Sequence, residues 1–160
     1  MVRRPRRDDE PLYRALFFAP EVAAWLRPPP LPPFALDDPA QALESDLVAW
    51  ERDGFGFAIL EAADGTFLGR GGMRVDVFDS VPEVELGWAL LPEHWGRGYA
   101  TEMARGAVEA ARGLEMETLI AVTLHRNTAS RRVMERVGMA YERDTVHAGL
   151  PHVLYRLALV

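Results

Sequence analysis

Two rhythms of apolar and polar positions run along the chain. Over residues 8–26 the spacing is helical, with Leu12, Ala15, Leu16 and Ala19 on one stripe and the pattern resuming after Pro20. Asp8, Asp9 and Glu10 ahead of Pro11 have the acidic, proline-bearing character of a helix start. The run Pro28-Pro29-Pro30-Leu31-Pro32-Pro33 fits neither rhythm and predicts an extended loop, either a rigid lip over a pocket or a connector. Asp37-Asp38-Pro39 opens a second helix to about Arg52, with Leu43, Leu47 and Trp50 on one side and Gly54 ending it.

From Phe55 the rhythm changes to strand. Residues 55–61 form one run, Ala63-Asp64-Gly65 a hairpin turn, and residues 66–78 a longer run whose glycines at 69, 71 and 72 predict a bulge or a close backbone approach. Residues 84–91, entered past Pro82, read as the next strand. A helix follows over about 99–112, with Ala100, Ala104, Ala107, Ala111 and Leu114 as its inward stripe. Residues 117–124 read as a buried strand. Asn127 caps a helix through Val137, with Gly138 after it. Residues 141–146 and 153–159 are two last strands around a turn near Gly149-Leu150-Pro151. This order predicts one mixed α/β domain over residues 1–160, whose strand–loop–helix–strand–helix middle supplies a parallel pair.

Composition narrows the chemistry. The 160 residues are 49% hydrophobic and 26% charged, as expected of a globular chain with a substantial core. No apolar run approaches membrane-spanning length and no apolar leader opens the chain, so a cytoplasmic protein without membrane contact is expected. The absence of cysteine excludes a thiolate nucleophile, and the four histidines show no metal-ligand spacing, so no metal is expected. A net charge of −6 argues against nucleic acid as a partner. The short basic stretch Met1-Val2-Arg3-Arg4-Pro5-Arg6-Arg7 reads as a solvated tail.

The richest stretch is Leu90-Leu91-Pro92-Glu93-His94-Trp95-Gly96-Arg97-Gly98-Tyr99-Ala100-Thr101-Glu102. A strand stops, two glycines follow, and a helix opens: an arrangement that brings backbone N–H groups to an anion. It lacks the Gly-Lys-Ser/Thr ending of a P-loop and the third glycine of a dinucleotide fingerprint. With Asn127-Thr128-Ala129-Ser130-Arg131 up to Gly138-Met139, and Glu85-Leu86-Gly87-Trp88 upstream, it resembles the GNAT superfamily of N-acetyltransferases. The form Trp-Gly-x-Gly-Tyr-Ala-Thr-Glu is similar to the ribosomal-protein N-terminal acetyltransferase branch. The motif resemblance covers about residues 83–140.

The resemblance implies an α/β (α+β) fold: a single mixed, mostly antiparallel sheet flanked by helices, with a splayed strand pair binding acyl-CoA. It implies acetyl transfer from acetyl-CoA to a primary amine, either a peptide or protein N-terminus or a small molecule. Trp95, Gly96, Arg97, Gly98, Tyr99 and Ala100 then hold the pyrophosphate, with Asn127 and Arg131 as further cofactor contacts. The N–H of Leu90 or Leu91 is the implied donor to the thioester oxygen. Glu85 is the implied base, directly or through a water, with Glu83 in reserve. The position where many relatives carry a tyrosine acid is Met134, so Ser130 takes that role beside the sulfur. Trp88 is expected to touch substrate, and a homodimer is compatible with the resemblance. The rival reading is a CoA-binding or regulatory module without efficient catalysis. Members of this branch begin with a longer strand than residues 1–5 offer, so a very short or partial edge strand is expected here.

Overall fold

The computed structural model describes residues 1–160. In chain order the elements are β1 (Val2–Arg3), α1 (Glu10–Phe17), α2 (Pro20–Leu26), α3 (Asp38–Asp53), β2 (Phe57–Glu61), β3 (Phe67–Phe78) and β4 (Val81–Leu90). They continue with α4 (Tyr99–Gly113), β5 (Thr118–Leu124), α5 (Thr128–Arg136), β6 (Ala140–His147) and β7 (Leu150–Ala158). The strands form one seven-stranded sheet in the order β1-β2-β3-β4-β5-β7-β6. The pairing is mostly antiparallel, and β4 and β5 are parallel with Glu85 opposite Ile120, as a connection through a helix requires. No helix is long and apolar enough to cross a membrane.

The chain divides into two compact units. One comprises Met1–Gly71 and Trp88–Arg97, the other Gly72–Gly87 and Gly98–Val160. In the first, Tyr13, Leu16 and Phe17 of α1 meet Val22, Leu43 and Ile59 in a core, with Phe34, Ala89 and Leu91 packed against it. The Phe34 ring meets Phe17 edge-on at 4.9 Å. Gly54 ends α3 in the left-handed region at φ 76°, where it leaves its N–H to the Trp50 carbonyl. The edge strand is only two residues long, pairing Val2 with Leu60 and Arg3 with Ile59. That pairing corrects the expectation of a solvated tail. Arg3 binds both oxygens of Asp9 at 2.8 Å and Glu61 at 2.7 Å, because the strand seats it between them.

In the second unit, β5 pairs with β7 from Thr118↔Ala158 to Leu124↔His152, and β6 closes the edge with a bulge between Tyr141 and Arg143. Two strand starts and one helix face differ from the sequence reading. β4 begins at Val81 and takes in Pro82, because Asp79 and Ser80 at φ 51° and 68° make the turn without a glycine. β7 begins at Leu150, the turn being Ala148-Gly149 at φ 50° and 75°. The buried stripe of α4 is Thr101, Met103, Ala104, Val108 and Ala111, rotated from the alanine stripe, and Leu114 is 55% exposed. The tip of the β3–β4 hairpin lies against the sheet. Phe78 packs on Ile120 and Leu154, and Asp79 takes Arg143 at 2.6 Å.

Candidate active site

The end of β4 is held by a contact that only glycine permits. A Cβ on Gly69, whose φ is 155°, would stand 2.1 Å from the Ala89 carbonyl oxygen and 2.8 Å from the Leu90 Cα. Next to this close approach the Leu91 N–H donates to the Leu68 carbonyl at 2.9 Å. That bond engages one of the two backbone donors expected for a thioester oxygen. N–H groups alternate sides along an antiparallel pair, so the Leu90 N–H points away from β3. Leu90 itself is buried.

Beyond Leu91 the chain makes a 3-10 turn over Pro92–His94. The Trp95 indole N–H then reaches back to the Leu90 carbonyl at 2.8 Å, which ties the loop to the strand that feeds it. Gly96 has φ 71°, and nothing lies within 4 Å of the place its Cβ would take. Arg97 is exposed beside it.

In the second unit, Gly98 is the N-cap of α4 at φ 84°, with open space where a Cβ would be and no side chain capping the helix. The first N–H groups of a helix lack intrahelical acceptors and carry the positive end of its dipole. Glycine conformation, an open face and an uncapped start give a donor set suited to a diphosphate, held through backbone amides without a basic surface. Tyr99 and Ala100, in the first turn, are half-buried.

The start of α5 is built differently. The Asn127 side-chain oxygen accepts the Ser130 N–H at 3.2 Å, so Asn127 is the cap foreseen. Ser130 is half-buried in the first turn. Arg131 donates to the Tyr155 hydroxyl and to the His125 carbonyl, each at 3.0 Å, and the Tyr155 hydroxyl donates to Glu135 at 3.2 Å. The hydrogen bond to Tyr155 raises the Arg131 pKa above its ordinary value. Arg131 thus tethers α5 to β7. Met134 is 2% exposed and fills the core.

Glu85, 7% exposed on β4, is gripped by Arg74, whose Nε lies 3.0 Å from Oε2. Arg74 also reaches Asp76 at 3.2 Å. Glu83 is held by two nitrogens of Arg156 at 2.8 and 3.1 Å, and Arg156 is shared with Glu142. Bonds to these two carboxylates, Glu83 first, raise the Arg156 pKa far above the usual range. Trp88 is half-buried farther along β4. Arg74 escaped the sequence reading, yet it stands as far before the Asp79-Ser80 turn as Glu85 stands after it. Placing the turn correctly would have paired them. No group of three His, Asp or Glu side chains is arranged to hold a metal ion.

Comparison with known proteins shows the family and the fold. The uncharacterized protein YkkB of Bacillus subtilis (strain 168) is 29% identical over 156 residues, 93% of this chain and 86% of that protein. The crystal structure of an acetyltransferase from Agrobacterium tumefaciens str. C58 is 27% identical with a TM-score of 0.80, covering 98% of this chain and 88% of that one. The same fold recurs at 17% identity and TM-score 0.73 in yncA, a putative acetyltransferase from Salmonella typhimurium solved with its cofactor acetyl-CoA; that match covers 100% of this chain and 94% of the other. Residues 1–140 match the family described as Acetyltransferase (GNAT) domain, so the chain belongs to the GNAT acetyltransferase family.

Proposed function

We propose that this chain, as one acetyltransferase domain, moves the acetyl group of acetyl-CoA to a primary amine, either a peptide N-terminus or a small molecule. The observation that carries the reading is the strand–turn–helix from Leu90 to Ala100. Its two left-handed glycines stand open and its helix start has no side-chain cap. Family membership supplies the acyl donor, and the yncA structure with acetyl-CoA supports that choice.

Within this reading the backbone of residues 95–100 holds the pyrophosphate, with Arg97 adding charge and Asn127 at the neighbouring helix start as a further cofactor contact. Arg131, also assigned to the cofactor, is steadied by Tyr155 and the His125 carbonyl and has further guanidinium N–H groups for a phosphate. The Leu90 N–H is assigned to the thioester oxygen, because that of Leu91 is bonded to Leu68. Glu85 is the carboxylate assigned to the amine's proton, Ser130 stands by the departing sulfur, and Trp88 walls the acceptor. The Trp-Gly-x-Gly-Tyr-Ala-Thr-Glu wording favours kinship with ribosomal-protein N-terminal acetyltransferases, and so a peptide N-terminus among the acceptors.

The test is thiol release from acetyl-CoA with a panel of amines and unblocked peptides, beside a thermal shift with acetyl-CoA alone. Ligand at 100 times Kd adds about 2.7 kcal/mol to the folded state. Binding with release for at least one amine supports the proposal. Binding without transfer to any amine would instead make the chain a CoA-binding module. Gly98→Val should abolish the shift, since a β-branched side chain is strained at φ 84° and would fill the open face.

A further inference from the structure

Both carboxylates on β4 already face guanidinium groups: Glu85 meets Arg74 at 3.0 Å and Glu83 meets Arg156 at 2.8 Å. A different proton acceptor stands on the same face of the sheet. Glu85 is opposite Ile120, and Leu124 is opposite His152. Ile120 and Leu124 share a face because side chains alternate along a strand, so Glu85 and His152 share it too. His152 also sits beside the strand end whose turn presents Asn127, since the Asn127 N–H donates to the Leu124 carbonyl at 2.9 Å.

The ring of His152 is oriented and its tautomer is set. Nδ1 lies 2.8 Å from the Leu150 carbonyl oxygen, which can only accept, so in the neutral ring Nδ1 carries the hydrogen. That leaves the lone pair on Nε2, which makes no hydrogen bond within the protein and is not sealed from solvent. The ring packs edge-on against His147 at 5.4 Å, and His147 stacks on Phe78 at 4.9 Å. The hairpin tip and β6 therefore buttress it.

We propose that Nε2 of His152 accepts the proton of the incoming ammonium group, and that Glu85, fixed by Arg74, stabilises the resulting imidazolium through its charge. This rests on the acetyl-transfer reading above and refines the part assigned to Glu85. The ammonium gives one proton to Nε2, and the freed nitrogen pair bonds the acetyl carbon as the carbon–sulfur bond breaks. The second nitrogen proton ends on the departing sulfur, and His152 returns its proton to water.

The surroundings agree with a base that is neutral at working pH. Burial holds the His152 pKa below the ordinary histidine value, and neighbouring His147 on β6 and His125 after β5 push the same way. Glu85 on β4 pulls it up. Thr145, opposite His152, is bonded to Asp79 at 3.4 Å, and Asp79 is paired with Arg143.

The experiment measures kcat against pH for the full chain with saturating acetyl-CoA and an acceptor from the panel, for wild type, His152→Gln and Glu85→Gln. It also determines the His152 tautomer by nitrogen NMR without ligand. The expected results are a kcat about 100-fold lower in His152→Gln with loss of the acidic limb. Glu85→Gln should move that limb to lower pH, because removing a negative charge weakens the hold on the proton. The thermal shift with acetyl-CoA should be unchanged in His152→Gln. Nδ1–H as the neutral tautomer supports the assignment. Nε2–H would overturn it, as would a His152→Gln variant that keeps its kcat within twofold and retains the limb. Absence of transfer by a wild-type chain that binds acetyl-CoA would overturn the acetyl-transfer reading itself and the base with it.

Discussion

Two arginine–carboxylate pairs, one in each unit, look alike on paper and differ in kind. In the first, Arg70 binds both oxygens of Asp46 at 2.6 and 2.8 Å, and the Tyr13 hydroxyl donates to the same carboxylate at 2.5 Å. Asp46 is 2% exposed, and the Arg70 guanidinium lies over the rings of Tyr13, Phe17 and Phe57, the last at 4.7 Å. In the second, Arg74 touches one oxygen of Glu85, divides itself with Asp76, and keeps 29% of its side chain in solvent. A buried carboxylate held by two arginine nitrogens and a tyrosine hydroxyl joins α1, α3 and β3 and can do little else. A pair whose arginine stays partly in solvent holds a charge in place near water while leaving it able to act on a neighbour. Depth of burial, rather than the presence of an ion pair, separates scaffold from chemistry here.

That contrast can be broken by substitution. The largest effect should come from Asp46→Ala, which strands the buried Arg70 charge and should cost about 3–5 kcal/mol in a urea titration. An Asp46→Ala chain as stable as wild type would end the claim that this network is structural. Tyr13→Phe keeps the ring but removes one donor to a charged acceptor, and should cost about 2 kcal/mol. Burial raises the Tyr13 pKa well above that of free tyrosine, so this hydroxyl should remain protonated and no alkaline transition should be traceable to it. Glu85→Gln should lower stability by only about 1 kcal/mol while lowering acetyl transfer at least tenfold. Equal losses in stability and rate would make the two pairs the same kind of object.

The smallest effect concerns acid. The bond to Arg3 holds the Asp9 carboxyl below its ordinary value. Its contribution is therefore present above the unfolded pKa of about 3.9 and is lost as pH falls further, through the folded value. Arg3→Gln should remove that part of the acid sensitivity, read as a shallower fall in melting temperature below pH 4 (about the unfolded carboxylate value).

Much of the functional stretch was legible without coordinates. Leu90 to Ala100 announces itself through glycines between a strand rhythm and a helix rhythm, and Asn127 through its place ahead of one. These signals are local: φ preference, capping and periodicity act within a few residues. The Asp79-Ser80 turn was not read from the sequence because it adopts positive φ without glycine, so its usual chemical mark is missing. With the strands turning at Asp79-Ser80, Arg74 comes within reach of Glu85.

By itself, then, the sequence determined the succession of elements, the glycine loop and the family to which that loop belongs, since each depends on short-range steric and hydrogen-bonding rules. Tertiary structure alone decided that Arg70 finds Asp46, that Arg74 finds Glu85, that Arg131 becomes a tether and that His152 packs against His147. Those outcomes follow from strand register and from which face is dehydrated. Both are properties of packing between distant segments, which no local pattern encodes.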